Sequence, residues 1–156
     1  LGSVLPESVK EAGAVGVMLN HAEKHLTLDV IRETIRRADE VGLATIVCAD
    51  TVEEIRQIAE LSPNLIVAEP TDLIGTGVAS DMGYVRDTIE AVRKINPDIM
   101  VLQGAGISNG QDVYNTIKLG AQATGSTSGI LKAADPEAMV EEMLYNLRKA
   151  WDELHK

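Results

Sequence analysis

The sequence predicts an α/β protein whose parallel strands alternate with helices in five consecutive βα units. Short apolar runs, partly β-branched, recur roughly every 20 to 35 residues. Between them, apolar residues return near every 3.6 positions, the period of a helix with one buried face. The units do not copy one another, and no linker or low-complexity segment interrupts the 156 residues, so 1–156 reads as one domain.

Each element has a local cause. A first helix is expected from Pro6 to Ala12, with Pro-Glu in its first turn and Gly13 as a left-handed stop. Strand one follows over Ala14–Leu19. The second helix, Leu28–Val41, carries Ile31, Ile35, Ala38 and Val41 on one face and stops at Gly42. Strand two is Ala44–Cys48. Thr51 and Glu54 then form a capping-box pair that opens a helix, closed off by Pro63. Strand three, Leu65–Ala68, runs into a long glycine-containing loop. A helix over Tyr84–Ile95 ends before Asn96-Pro97, and strand four is Ile99–Leu102. A short helix, Gln111–Leu119, stops at Gly120, and strand five is Ala121–Thr124. Asp135-Pro136 caps the last helix, which carries Met139, Met143, Leu147 and Leu154.

Strands so continuously apolar need cover on both faces, which an open doubly wound sheet and a closed (β/α)8 barrel both provide. A full barrel typically takes about 250 residues, so five units amount to roughly five eighths of one.

Composition narrows the function classes. A net charge of −10 and only four aromatics, three Tyr and one Trp, argue against nucleic acid as a partner. A small anion is still compatible, because backbone amides bind phosphate whatever the net charge. Cys48 is the single cysteine, which excludes an intrachain disulfide and makes an intracellular, cytoplasmic setting the default. No apolar run approaches the ~18 residues of a membrane span, and Leu1-Gly2-Ser3 carries no signal-peptide pattern, so a soluble protein with no membrane partner is expected.

Three segments stand at the carboxyl ends of the predicted strands, where parallel α/β folds place their sites. They are Asn20-His21-Ala22-Glu23; Glu69-Pro70 through Gly77; and the paired turns Gly104-Ala105-Gly106-Ile107-Ser108 and Gly125-Ser126-Thr127-Ser128-Gly129. Either glycine turn alone could be a tight bend, but two in succession after the last two strands match a phosphate-binding site. His21 either projects its imidazole into the mouth of the sheet or caps the next helix. Glu69 ends an apolar strand, where a carboxylate must be solvated, paired or functional. Pro70 at one end and Gly75 and Gly77 at the other give the following loop the pattern of a lid. Cys48 and the Met139/Met143 stripe read as core, and His25 and His155 as surface residues.

The strings LNHAE, AEPTDLIGTG, QGAGIS and STSGILKAADP, in that order, resemble the triosephosphate isomerases in their short archaeal form. The resemblance covers nearly the whole chain and corresponds to the part of the barrel from the helix before strand four to the end. It implies interconversion of dihydroxyacetone phosphate and glyceraldehyde 3-phosphate through an enediol(ate), without metal or cofactor, in an oligomeric enzyme of glycolysis and gluconeogenesis. Glu69 matches the family's base and His21 its electrophile, a neutral imidazole beneath a closing loop, as described for that family. Glu23 matches a carboxylate beside the electrophile. Gly75, Gly104, Ala105, Gly106, Thr127, Ser128 and Gly129 match the phosphate grip.

Two departures stand out. Ala22 occupies a position where the family usually has Ser. The first three strands, with the Asn-x-Lys motif whose cation neutralises charge on the substrate, have no counterpart here, and Lys24 is expected to point to solvent. Five units of a barrel would leave two unpaired edges. The expected partner is therefore an N-terminal portion of the same barrel, carrying strands one to three as a separate chain, or a second copy by self-association. The rival readings are a noncatalytic phosphate-binding half-barrel and a different sugar-phosphate barrel enzyme, the latter giving no reason for the EP…IGTG loop.

Overall fold

The computed structural model describes residues 3–73, 81–104 and 106–156. Its strands are β1 (Gly16–Leu19), β2 (Ala44–Ala49), β3 (Leu65–Ala68), β4 (Met100–Gln103) and β5 (Ala123–Thr124). Helices are α1 (Pro6–Glu11), α2 (Leu28–Glu40), α3 (Val52–Ala59), α4 (Met82–Ile95), α5 (Gly110–Lys118), α6 (Ser128–Leu131) and α7 (Pro136–Leu154), with a 3-10 turn at Thr71–Leu73.

The strands form one parallel sheet in the order β1-β2-β3-β4-β5. A doubly wound sheet reverses its strand order at a switch point. Here each strand lies beside its neighbour in sequence, which is the order of a barrel wall. The two readings that hydropathy left open are thereby separated: this is a partial (β/α)8 barrel, an arc whose sheet does not close among the described residues.

Strand alternation sorts the side chains. Val47, Ala49, Ile66, Ala68 and Val101 face outward into a core with Ile31 and Ile35 of α2, Ile55 and Ile58 of α3, and Val85, Ile89 and Val92 of α4. Ile55 and Ile58 are fully buried, each contributing about 2–3 kcal/mol of apolar transfer. Met143 and Ala150 of α7 join Val113 and Ile117 of α5 in a second cluster, with Met139 and Leu147 packed against it. Leu154, at the end of the same stripe, is 45% exposed. The opposite strand face carries Met18, Cys48, Val67 and Leu102 into the concave side of the arc.

Most element ends fall where the sequence places them, and the exceptions have visible causes. β1 starts at Gly16 because the Ala14 N–H is taken by the Val9 carbonyl of α1. β5 is cut to two residues because the Val101 N–H donates to the Gln122 side chain, Oε1, instead of to a strand carbonyl. α4 begins two residues early, where the Asp81 carboxylate accepts from Gly83 and Tyr84 N–H. The short α6 had no periodic signal at all. At α3, Thr51 Oγ1 accepts the Glu54 N–H at 3.1 Å as expected of a capping box, but the Glu54 carboxylate accepts from Asp50 N–H instead of from Thr51.

Candidate active site

The carboxyl ends of the strands enclose one open hollow of about 610 Å³. His21, Glu69, Gly104, Gly106, Thr127 and Ser128 all border it, together with Met18, Cys48, Val67, Leu102, Ile107, Gly125 and Ser126. All three sequence segments singled out as candidates therefore reach it, the first from β1, the second from β3 and the paired turns from β4 and β5.

Glu69 arrives there by register. It lies two positions beyond Val67 and thus on the same, concave face of the sheet, and its N–H donates to the Ala49 carbonyl of β2, extending the ladder one step. Its carboxylate rests on bare backbone: a Cβ at Gly104 would sit 3.0 Å from Glu69 Oε1 and 3.1 Å from Cδ. Gly104 is thus the floor beneath the carboxylate, a role composition could not disclose.

His21 follows Asn20, which turns the chain with φ +57° in the left-handed region that asparagine tolerates. His21 does not cap a helix, since the N-cap of α2 is Thr27, whose hydroxyl accepts from Val30 N–H. Its Nδ1 lies 3.5 Å from the Glu23 N–H, at the outer limit of a hydrogen bond, so Glu23 backbone and side chain both flank this edge of the ring. The Glu23 carboxylate is 3.7 Å from the same nitrogen and 80% exposed, so it stands beside the imidazole without entering the hollow.

The two glycine turns are joined to each other. Ser126 Oγ donates to the Ile107 carbonyl at 2.5 Å, and Thr124 Oγ1 to the Gln103 carbonyl at 2.9 Å. Gly106 has φ +76°, a conformation that costs other residues. Gly129 does not border the hollow. It lets α6 pack against the first turn, where a Cβ would meet the Ile107 carbonyl at 2.5 Å. Gly125 is the opposite case, for a Cβ there would meet no protein atom within 4 Å. Gly75 and Ala105, and with them most of the expected lid, lie outside the described residues.

Cys48 is buried as expected of core, yet it also borders the hollow beside Glu69. Burial pushes its thiol up to about 11, with the Glu69 and Glu54 carboxylates adding to the shift. Behind Glu69 a hole of about 10 Å³, room for one water, is bordered by Ala22, Asn20, Asp50, Glu54 and Thr71. Ala22 thus stands close to Glu69, and a serine there would place a hydroxyl at this hole. Among the described residues that line the hollow there is no Lys or Arg. The Lys24 ammonium bonds Ser3 Oγ on the exposed surface instead.

A profile of the triosephosphate isomerases matches residues 1–143. The chain belongs to the triosephosphate isomerase family. It is 41% identical over 153 residues to the triosephosphate isomerase of Sulfurisphaera tokodaii, which covers 97% of this chain and 67% of the relative. It is 43% identical over 146 residues to that of Methanosarcina barkeri, covering 92% of this chain and 66% of the relative. The chain spans about two thirds of the length of these relatives. Among solved structures, 3-hexulose-6-phosphate synthase from Salmonella typhimurium superposes with a TM-score of 0.68 at 22% identity, over 93% of this chain and 67% of that one. A thiamine phosphate pyrophosphorylase from Pyrococcus furiosus gives 0.65 at 17% identity, over 93% and 65%. At such identities these two likenesses concern the fold alone.

Sequence reasoning placed Asn20 and Thr71 within candidate segments but missed the polar network behind the site that joins them through Glu54 and Asp50. Asn20, Asp50, Glu54 and Thr71 are linked by hydrogen bonds, and the Tyr84 hydroxyl donates to the Asp50 carbonyl at 2.7 Å. The one available signal was Glu54, whose capping-box position explained it too readily. Among the described residues no helix is long and apolar enough to cross a membrane.

Proposed function

We propose that this chain carries the proton-transfer part of a triosephosphate isomerase site. Glu69 removes a proton from the carbon beside the carbonyl of dihydroxyacetone phosphate and returns it to the neighbouring carbon, forming glyceraldehyde 3-phosphate. His21 donates from its ring N–H to the carbonyl oxygen as negative charge develops there and can then serve the adjacent oxygen of the enediol(ate). Glu23 holds the imidazole's orientation through its N–H. Backbone amides of the turns at Gly104–Gly106 and Thr127–Ser128, with Gly75 from the loop, bind the phosphate, and Gly129 serves the grip only by letting α6 pack against the first turn.

The observation that carries this reading is that Glu69, His21 and both glycine turns border the same hollow. A base and a hydrogen-bond donor on one small substrate are what a shift of a proton between adjacent carbons needs, and no redox group enters the scheme. The relatives' names agree with it.

The hollow has one unmet need, a cation opposite the substrate's negative charge. The resemblance assigns that role to the lysine of an Asn-x-Lys motif on the first barrel strand. We therefore propose that strands equivalent to one to three of the barrel complete the site, joining the sheet at its two edge strands, β1 and β5. A second copy pairing its edges with this one is the other way to cover them.

Glu69→Asp tests the assignment. In the completed barrel, withdrawing the carboxylate by one methylene is expected to lower kcat by about 100-fold or more while leaving inhibition by inorganic phosphate within twofold. A binding module with idle His21 and Glu69 would bind phosphate equally well in both forms and show no turnover to lose.

A further inference from the structure

We infer that Glu54 is a positioning residue, a strut that fixes the turn bearing His21 relative to the loop bearing Glu69. The inference rests on the isomerase reading only in taking those two side chains as the reacting groups.

The strut is a continuous run of hydrogen bonds. Leu26 N–H donates to Asn20 Oδ1 at 2.8 Å, and because an amide N–H can only donate, this fixes which end of the Asn20 side chain is oxygen. Asn20 Nδ2 therefore points the other way, donating to Glu54 Oε1 at 3.0 Å and to the Cys48 carbonyl at 2.9 Å. The second carboxylate oxygen, Glu54 Oε2, accepts the Asp50 N–H at 2.8 Å. Asp50 Oδ1 in turn accepts the Thr71 N–H at 3.1 Å. The run starts at the residue before His21 and ends two residues after Glu69. Asn20 is 2% exposed, so its bonds form away from competing water.

Both groups that meet the Glu54 side chain are donors. A carboxylate offers each of them an oxygen, whereas glutamine would turn its own NH₂ toward one of the two. Helix capping does not require this arrangement, since the cap of α3 is Thr51 Oγ1 on the Glu54 N–H, which a change of the Glu54 side chain leaves in place. The demand for a carboxylate therefore comes from the two loops that it joins.

Glu54→Gln tests the strut with two readouts. In the full chain, amide hydrogen exchange at Leu26 and Thr71 is expected to speed at least tenfold, while the α3 amides of Ile58 and Ala59 stay within twofold. In the completed barrel, kcat is expected to fall about tenfold with inhibition by inorganic phosphate unchanged. Asp50→Ala, which removes only the Thr71 bond, is expected to speed Thr71 exchange and lower kcat; Asp50→Asn, which retains an acceptor oxygen, is expected to restore both, and a failure to restore overturns the inference. Loss of kcat without faster exchange at Leu26 or Thr71, or faster exchange with kcat within twofold, also overturns it. If the parent itself lacks turnover, the isomerase reading falls, and the exchange rates alone then decide whether Glu54 couples the two segments.

Discussion

Replacing Gly104 by alanine puts a methyl carbon 3.0 Å from Glu69 Oε1, 3.1 Å from its Cδ and 3.2 Å from its Cβ. Comfortable carbon contacts begin at roughly 3.5–4.0 Å, so the carboxylate must withdraw by about 0.5–1 Å. Gly104 is not among the glycines with positive φ, so the alanine brings no backbone strain. The carboxyl end of the side chain can swing away but Glu69 Cβ cannot, so the expected cost to stability is that of ordinary overpacking, about 1–3 kcal/mol. Chemistry is more sensitive, because a misplacement of about 1 Å can cost on the order of 100-fold. We expect kcat in the completed barrel to drop 10- to 100-fold, equivalent to about 1.4–2.7 kcal/mol in the transition state, with inhibition by inorganic phosphate within about twofold. Steady-state kinetics and a urea titration of the same preparation separate the two effects. A Gly104→Ala protein with kcat within twofold of the parent would refute the claim that this glycine seats the base.

Three further substitutions probe two other glycines and the buried thiol. Gly106→Ala forces alanine to φ +76° and is expected to cost about 1–2 kcal/mol in a urea titration, whereas Gly125→Ala meets no protein atom and should leave stability unchanged while weakening phosphate binding. Equal stability losses in the two would contradict this division of roles. The Cys48 thiol, pushed up to about 11 by burial and the neighbouring carboxylates, stays neutral in the folded protein after the unfolded chain begins to ionise. A raised folded pKa means stability intact below about pH 8.5–9 and falling as pH rises toward 11. Burial also raises the Tyr84 phenol, which acts in the same direction. Urea midpoints measured from neutral pH upward should thus decline less steeply in Cys48→Ala than in the parent, and identical slopes would count against the assignment.

What the sequence disclosed, and what it did not, follows from the range of the forces involved. Helix and strand identity came from periodicity and caps, which act within one turn; Thr51, Asn96-Pro97, Asp135 and Pro136 mark boundaries that the structure keeps within a residue or two. Strand order came from no such signal. It depends on how consecutive units pack, and only the β1-to-β5 pairing excludes the doubly wound alternative. The candidate site was legible because a barrel gathers the residues after each strand, so that His21, Glu69 and the glycine turns needed only to be strand-terminal to meet. The individual duties of the glycines were not legible. Gly104 beneath a carboxylate, Gly129 against a carbonyl and Gly125 facing open space are the same letter in sequence and differ only in what a Cβ would touch. Glu54 was concealed for a related reason: a carboxylate three residues after a threonine has a sufficient local explanation, and its bond to Asn20 spans 34 residues.

The most direct test follows the proton itself. Dihydroxyacetone phosphate incubated in deuterium oxide with the completed barrel should acquire deuterium at the carbon next to its carbonyl, and Glu69→Gln should abolish that incorporation while still binding inorganic phosphate. Deuterium entering at the parental rate in Glu69→Gln would show that some other group moves the proton, and the role given to Glu69 would be wrong.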